Sequence, residues 1–204
     1  MTRIIAGTAR GRRLAVPPAG TRPTSDRVRE AAFSSIESDL LAHGIGWSQV
    51  VVLDLFAGTG AFGLEALSRG ASGAAMIEKS RAAARILEAN LATVGCPGGN
   101  VLVRDARQLA STPPQVQANL CFADPPYDWS ARDLKDLLTR FADSGWVQPE
   151  ALVIAERPAK DADCPLPDAT TDVRRRPYGD TVLWYGRFEG PGPTQPRPPE
   201  RPLR

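Results

Sequence analysis

A chain of 204 residues, 42% of them hydrophobic, can bury one sizeable core, so we expect one main domain. No apolar run is long enough to cross a membrane, and the first residues lack the apolar region of a secretory signal. The three cysteines lie far apart without a C-x-x-C pair, and there is one histidine. These counts argue against a disulfide scaffold, a metal site and a histidine base, and they favour the reducing cytoplasm.

The net charge of +2 conceals an uneven distribution of basic residues. Residues 1–29 contain seven arginines and one acid, whereas residues 30–170 contain 11 basic and 18 acidic residues. Arginine makes up 22 of the 25 basic residues, which a GC-rich genome would explain, but such a genome does not explain their placement toward the termini. The placement favours a polyanionic partner such as nucleic acid.

The first part of the chain predicts a β-hairpin followed by a helix. Residues 3–17 read as two short strands around a glycine-containing turn, and a loop rich in proline and glycine follows. Thr24, Ser25 and Asp26 are good N-cap residues. Apolar residues recur at helical spacing after them, which predicts an amphipathic helix over residues 26–41.

From residue 50 onward, strands and helices alternate. We predict strands at 50–56, 73–79, 100–106, 118–126 and 151–156, and helices at 61–70, 80–95 and 131–145. Residues 170–179 and 180–188 then predict a closing antiparallel strand pair. This alternation is typical of a doubly wound, mostly parallel α/β sheet, in which ligands bind at the carboxyl ends of the strands.

A glycine-rich motif follows the first of these central strands. Gly58, Gly60 and Gly63 satisfy the G-x-G-x-x-G spacing, and Glu78 lies twenty residues after Gly58. This spacing is typical of dinucleotide-binding sites, in which the acid binds ribose hydroxyls. The motif alone therefore leaves NAD open as the cofactor.

Two further acids favour S-adenosylmethionine (SAM) over NAD. Asp54 directly precedes the glycine loop, where a carboxylate would repel a pyrophosphate but would attract the sulfonium and ammonium groups of SAM. Asp105 follows the third central strand and could accept a hydrogen bond from the adenine amine. The alternative interpretations are a helix-capping or turn aspartate at Asp54 and a surface aspartate at Asp105.

The stretch Asp124-Pro125-Pro126-Tyr127 ends another strand and suggests a site for an aromatic amine. The carboxylate and the Pro125 carbonyl could accept both N–H groups of the amine, which directs the nitrogen lone pair outward. Proline fixes its own φ and restricts the residue before it, so this carbonyl is positioned before a substrate arrives. The tyrosine offers a face on which a base can stack. In a chain with 19 prolines, a simple turn is the alternative.

The motifs DLFAGTG and DPPY together resemble those of SAM-dependent amino-methyltransferases of the Rossmann-like class. Three flanking stretches, RIIAGTARGRRL, TRPTSDRVREAAFSSI and RPYGDTVLWY, resemble the bacterial 16S rRNA (guanine-N2)-methyltransferase family of the RsmD type. The resemblance spans residues 3–187. It implies a seven-stranded methyltransferase sheet with an N-terminal hairpin extension, and methyl transfer to N2 of one guanine, position 966 of 16S rRNA, in the 30S subunit or its assembly intermediate.

The resemblance also implies roles for particular residues. The target guanine would be held by Asp124, Pro125, Pro126 and Tyr127. SAM would be held by Asp54, Phe56, Ala57, Gly58, Thr59, Gly60, Glu78, Lys79, Asp105 and Ala106. The family often has glycine where Arg104 stands, which weakens the carry-over to the neighbouring Asp105.

An RNA-binding function would rest on the basic N-terminal region. We expect phosphate contacts from Arg3, Arg10, Arg12, Arg13, Arg22 and Arg27, although each could equally be a solvated surface charge. Arg174–Arg176 either add contacts or keep an edge strand soluble. The chain then divides into a basic arm (1–24), a methyltransferase domain (25–188) and a proline-rich, disordered tail (189–204), and we expect a monomer without metal or membrane partners.

Three alternative functions remain open at this point. A DNA amino-methyltransferase with the same DPPY site would normally need an added target-recognition domain, for which this length leaves no room. An NAD-dependent oxidoreductase is disfavoured by Asp54 and by the lack of an obvious proton donor. A non-catalytic rRNA-binding assembly factor is disfavoured by the intact acids and the DPPY motif.

Overall fold

The computed structural model of the protein describes residues 2–17 and 26–190. Strands β1 (Thr2–Arg3) and β2 (Arg13–Leu14) form a small antiparallel hairpin, and the rest of the described chain forms a seven-stranded sheet with helices on both faces. In chain order its elements are α1 (Asp26–Ala42), β3 (Val51–Asp54), α2 (Ala61–Arg69), β4 (Gly73–Ile77), α3 (Arg81–Val94), β5 (Gly99–Leu102), α4 (Ala106–Leu109), β6 (Ala118–Ala123), α5 (Ala131–Asp143), β7 (Val147–Pro158), β8 (Thr170–Tyr178) and β9 (Thr181–Phe188).

The seven strands lie in the order β5-β4-β3-β6-β7-β9-β8. Strands β3 to β7 pair in parallel, whereas β9 runs antiparallel to both β7 and β8. The chain runs outward from β3 to β5 and then returns to β6 on the other side of β3. The crevice between β3 and β6 is therefore the topological switch point, where sheets of this kind bind ligands. The predicted doubly wound architecture and its hairpin extension are confirmed.

Helices cover both faces of the sheet, which explains why the central strands are almost continuously apolar. Helices α1, α2 and α3 pack on one face, and α4 and α5 pack on the other. On the first face the Phe62 ring stacks on the Phe122 ring with centroids 3.8 Å apart, and Phe33 packs beside Phe62 at 4.8 Å. This aromatic cluster joins α1 and α2 to β6, two residues before Asp124.

The N-terminal hairpin is packed onto the sheet domain. Its Ile4 and Leu14 side chains are buried in the same core as α1, α2 and α3. The buried Glu65 carboxylate of α2 accepts hydrogen bonds from the backbone N–H groups of Ile5 and Ala6, at 2.7 and 3.0 Å. The hairpin is thereby held by apolar burial and by a carboxylate whose own burial is compensated.

Most elements differ from their predicted boundaries by one to three residues, and two boundaries are displaced by four. Strand β5 ends at Leu102, four residues early, because the Asp105 carboxylate accepts the Arg107 N–H at 2.8 Å and begins the one-turn helix α4. Such a short helix leaves no periodicity in the sequence. Strand β7 begins at Val147, four residues before the prediction, because it pairs with β6 through an irregular stretch where Glu150 has a φ of 62°.

Several predictions fall on residues outside the described ranges. They concern Thr24 and Ser25 as caps of α1, Arg22 as an RNA contact, and the proline-rich tail from residue 191 onward. Within residues 2–17 and 26–190, no helix is both long enough and apolar enough to span a bilayer.

Candidate active site

Four acidic residues lie at or just beyond the carboxyl ends of four neighbouring strands. Asp54 is the last residue of β3, and Asp124 follows β6. Glu78 follows β4, and Asp105 comes three residues after β5. Because β5, β4, β3 and β6 are adjacent, all four acids lie along one edge of the sheet, and Asp54 and Asp124 flank the switch point.

The glycine loop between β3 and α2 is fixed by Glu78. One oxygen of this carboxylate accepts the Gly58 N–H at 2.9 Å, and the other accepts the Ser80 N–H at 2.6 Å. Gly60 has a φ of 85°, and a Cβ there would lie 2.1 Å from a Leu87 methyl, so only glycine fits. A Cβ at Gly58 would meet no atom within 4 Å, so the loop backbone faces open space there.

Asp54 gives this edge its electrostatic character. Its side chain is 1% exposed and accepts the Gly63 N–H at 3.2 Å. The pKa of this carboxyl is raised from 3.8 to about 7, first because burial disfavours its charge, and also because Asp124 and Glu78 carry charges of the same sign. A cation bound beside these carboxylates would relieve their repulsion, so the residues present fit a positively charged ligand such as SAM.

The other residues predicted to contact SAM surround this loop. Phe56 is half-buried and packs edge-on against Trp129 with ring centroids 5.1 Å apart. Ala57 and Ala106 are buried, whereas Lys79 is exposed. The Phe56–Trp129 contact links the glycine loop to the segment that follows the DPPY motif, so the two predicted sites share a wall.

Asn90 of α3 is a positioning residue that the sequence did not reveal. Its buried amide donates to the carbonyls of Thr59 and Ala15, at 2.9 and 3.0 Å, and its oxygen accepts the Ala15 N–H at 2.8 Å. This side chain therefore connects the glycine loop to the segment after the hairpin. No local signal marks it, because its partners lie 31 and 75 residues away.

The DPPY motif forms a corner with a buried and an exposed side. Asp124 is half-buried and Pro125 is buried, whereas Pro126 and Tyr127 are exposed. The Pro126 carbonyl accepts the Trp129 N–H at 3.1 Å, which closes a turn after the motif. The Pro125 carbonyl accepts no such bond within the described residues, so it keeps its capacity to bind a donor.

A cleft of about 1280 Å³ opens beside this corner. Tyr127, Trp129, Arg27 and Lys160 are among the residues that line it, together with Tyr178 at the β8–β9 turn. The cleft is large enough for a nucleotide. It thus joins the DPPY motif to the RPYGD stretch, which lies some fifty residues away in the sequence.

Arg157, at the end of β7, is a second positioning residue that the sequence did not reveal. Its buried guanidinium donates to the Trp129 carbonyl and to the Asp161 carboxylate, the latter at 2.6 Å. The Trp129 ring lies beneath the Arg107 guanidinium, 4.1 Å from it. These contacts fix the segment that follows the DPPY motif.

The arginines predicted to contact RNA are in different environments. The five that the structure describes are exposed: Arg3, Arg10, Arg12, Arg13 and Arg27. Arg12 donates to the carbonyls of Val94, at 2.7 Å, and of Thr93, and so caps the C-terminal end of α3. Arg12 thus has a structural role in addition to the predicted one. The residues that the structure describes contain no group of three or more side chains placed to hold a metal ion.

Solved structures that resemble this chain include methyltransferases. A putative methyltransferase, yhhF, of Escherichia coli has a TM-score of 0.79 and 33% identity, covering 92% of this chain and 98% of that one. An RNA methyltransferase of Salinibacter ruber, solved with S-adenosyl-L-homocysteine, shares the fold at 15% identity and a TM-score of 0.58, covering 85% and 97%. The chain thus has the Rossmann-like methyltransferase fold.

Named relatives of similar sequence identify the family within the methyltransferases to which the chain belongs. The chain is 39% identical over 155 residues to ribosomal RNA small subunit methyltransferase D of Escherichia coli K12, which is 76% of this chain and 73% of the relative. It is 32% identical over 186 residues to the putative rRNA methyltransferase YlbH of Bacillus subtilis, covering 88% and 95%. The family described as Conserved hypothetical protein 95 matches residues 2–187. The chain belongs to this family, the RsmD family.

Proposed function

We propose that the protein is a SAM-dependent rRNA methyltransferase, and that it methylates the exocyclic N2 of one guanine of 16S rRNA. The observation that carries this proposal is the position of the DPPY motif, which follows β6 at the switch point beside the acidic end of β3. Relatives named as small-subunit rRNA methyltransferases support rRNA as the substrate. The family resemblance supports the guanine at position 966 and the 30S particle as the finer assignment.

On the cofactor side, the chain supplies negative charge and hydrogen-bond acceptors. When bound, SAM provides an electrophilic methyl group on a positively charged sulfur. Asp54 and Asp124 place carboxylates on both sides of the switch point, which favours a cation there. Glu78 accepts ribose hydroxyls with the lone pairs that its two backbone N–H bonds leave available, and Asp105 accepts from the adenine amine.

On the base side, the chain orients an amine that is otherwise a poor nucleophile. The Asp124 carboxylate and the Pro125 carbonyl accept the two N–H groups of the guanine amine, which turns its lone pair toward the methyl carbon. Tyr127 stacks on the base, and Pro126 keeps the corner rigid. The rate gain comes mainly from holding amine and methyl group in line.

Methyl transfer to the amine does not require a strong general base. Bound SAM would supply an electrophilic methyl group whose C–S bonding pair stays with sulfur as the N–C bond forms, and the methylated amine, held by Asp124 and Pro125, would pass its extra proton to water. The single histidine does not take part, because His43 follows α1 and its Nδ1 atom lies 2.7 Å from the Asp39 carbonyl. The target base must leave its stack to reach the site, and this unstacking costs the least free energy for a guanine in a loop or an unpaired region.

The proposal is tested by mapping the product. Unmodified 30S particles, naked 16S rRNA and duplex DNA are each incubated with the protein and isotopically labelled SAM, and the nucleosides are identified by mass spectrometry. We expect one labelled N2-methylguanosine per 16S rRNA and none in DNA. Label on adenine or cytosine would contradict the guanine assignment. RNA binding without any transfer would instead support the assembly-factor alternative.

A further inference from the structure

A second cavity lies between helix α1 and the edge strand β8. Its volume is about 270 Å³, and it is lined by Ser34, Ser35, Ser38, Arg174, Arg176 and Tyr185. All six side chains can donate hydrogen bonds, and none of the six is acidic. We call this cavity the serine–arginine pocket.

The three consecutive arginines of β8 do not share one face. Arg174 and Arg176 lie on the face of Tyr185, which α1 covers, because side chains alternate along a strand. Arg175 lies on the opposite face, where its guanidinium is 5.8 Å from the centroid of the Trp184 ring. Keeping an edge strand soluble requires charge but no facing row of hydroxyl groups, so the pocket needs another explanation.

The serine–arginine pocket carries an excess of positive charge. Arg174 pairs with the Asp39 carboxylate at 3.3 Å, but the same carboxylate also pairs with Arg187. Two guanidinium groups therefore share one carboxylate. The Arg176 side chain makes no hydrogen bond or ion pair within the described residues, so its charge is available to a ligand.

The Tyr185 hydroxyl is a buried and poorly paired donor in this pocket. The residue is 1% exposed, and its hydroxyl makes no hydrogen bond of normal geometry within the described residues, although Ser35 and Tyr178 lie near it. Burial raises the pKa of this hydroxyl, so it stays protonated and can donate. A buried polar group without a partner is costly, and an acceptor bound in the pocket would remove that cost.

We propose that the serine–arginine pocket binds a backbone phosphate of the rRNA strand beside the target nucleotide, an inference that rests on the proposed function. A phosphate offers negative charge and several acceptor oxygens to guanidinium and hydroxyl donors. Along the same face of β8, Tyr178 lies two residues beyond Arg176, about 7 Å away, and it lines the cleft beside Tyr127. The pocket therefore lies along one path, over β8, by which an RNA strand would deliver its base to the cleft.

The test compares three variants of the full chain for binding to unmodified 30S particles at several salt concentrations. Arg176→Ala is expected to weaken binding about tenfold and to lower the slope of log affinity against log salt by about one. Tyr185→Phe keeps the ring, and it is expected to weaken binding a few-fold with an unchanged slope, since no charge is lost. Arg175→Ala is the matched control on the opposite face, expected to leave both quantities unchanged.

The outcomes separate this inference from the proposed function. Suppose the wild-type protein methylates 30S particles, but Arg176→Ala and Arg175→Ala have the same affinity and the same salt slope. That result would overturn the proposed phosphate site and leave the proposed function intact. Wild-type protein without any transfer to rRNA would overturn the function itself. Thermal unfolding and SAM affinity show that changes in RNA binding do not come from a damaged fold: neither is expected to fall below wild type in the three variants, and Tyr185→Phe, which removes a poorly paired buried hydroxyl, should be at least as stable as wild type.

Discussion

The carboxyl edge of the sheet has two proposed sides. The cofactor side, formed by Asp54, Glu78 and Asp105, is already assembled by hydrogen bonds within the protein, whereas the RNA side, formed by Tyr127 and its cleft, is open. On the cofactor side, Asp54, Glu78 and Asp105 each accept backbone N–H hydrogen bonds from the loops and helices around them. On the RNA side, the Tyr127 side chain is 77% exposed beside a cleft of about 1280 Å³. The difference indicates that the proposed SAM site is fixed by contacts within the protein, whereas the proposed RNA side would be completed by contacts that the RNA supplies.

The N-terminal hairpin shares features of both sides. Its arginines suggest RNA binding, but it is held against the sheet domain by contacts within the protein, as the residues of the cofactor side are. Glu65→Ala would leave the backbone N–H groups of Ile5 and Ala6 without their acceptor, whereas Arg69, which lies 2.8 Å from Glu65, would keep its ion pair with Glu37. We expect the free energy of unfolding to fall by about 2–4 kcal/mol, because each buried donor that loses its acceptor costs about 1–3 kcal/mol. Urea denaturation measures this loss.

The matched control for that variant is Glu88→Ala, which removes an exposed carboxylate from α3 and should change stability by less than about 0.5 kcal/mol. A loss below about 1 kcal/mol for Glu65→Ala would mean that the hairpin is not anchored there. The hairpin would then have to be grouped with the open, RNA side of the molecule.

The next largest effect is expected where the two sides meet. Asp124→Ala removes one acceptor of the target amine, and we expect the single-turnover rate of methyl transfer to fall about 10²–10³-fold. SAM affinity should change by less than about fivefold, because Asp124 is half-buried and solvent screens its charge. Single-turnover kinetics on 30S particles and titration calorimetry with SAM measure the two quantities.

Asp128→Ala is the control for that variant, since it removes an exposed carboxylate four residues later in the same segment. It should retain both transfer and SAM binding. A loss of SAM binding as large as the loss of transfer in Asp124→Ala would contradict the separation into two sides, because Asp124 would then act mainly on the cofactor.

A smaller effect is expected at the exposed face of the RNA side. Tyr127→Ala should lower kcat/KM for 30S particles by about 5–150-fold, which corresponds to the roughly 1–3 kcal/mol of one base stacked on an aromatic ring. Tyr127→Phe keeps the ring and should stay within about twofold of wild type. Equal losses in the two variants would exclude stacking and point to the hydroxyl instead. Steady-state kinetics with limiting particles distinguishes these outcomes.

The contrast between short-range patterns and long-range contacts explains what could be predicted from the sequence. The order of strands and helices and the glycine loop followed from local patterns, because apolar periodicity and glycine spacing are short-range properties. The contacts of Asn90 and Arg157 could not be predicted, since they join segments separated by tens of residues. The serine–arginine pocket also depends on the packing of α1 against β8, which residue spacing does not encode.

The pH dependence of SAM binding tests the assembled side directly. Because the pKa of Asp54 is about 7 in the folded protein and 3.8 ordinarily, the folded state keeps a proton between about pH 4 and pH 7 that the unfolded chain has lost. Without SAM, this group's contribution to stability is therefore fully present below about pH 4 and is lost as the pH rises through 7. A bound cation favours the ionised carboxylate instead, so SAM affinity should fall up to about tenfold per pH unit below 7 and level off above it.

Calorimetric titration of SAM between pH 5 and pH 8.5 measures this profile, and Asp54→Asn should flatten it while weakening SAM binding at pH 8. Below pH 7 the wild-type protein should also release a proton as SAM binds. Calorimetry repeated in buffers of different ionisation enthalpy measures this proton release. A flat wild-type profile would mean that Asp54 does not sense the cofactor charge. In that case the buried carboxylate would serve only to hold the N-terminal turn of α2 through Gly63, and the preference of this edge for a cation would have to come from Glu78 and Asp124 alone.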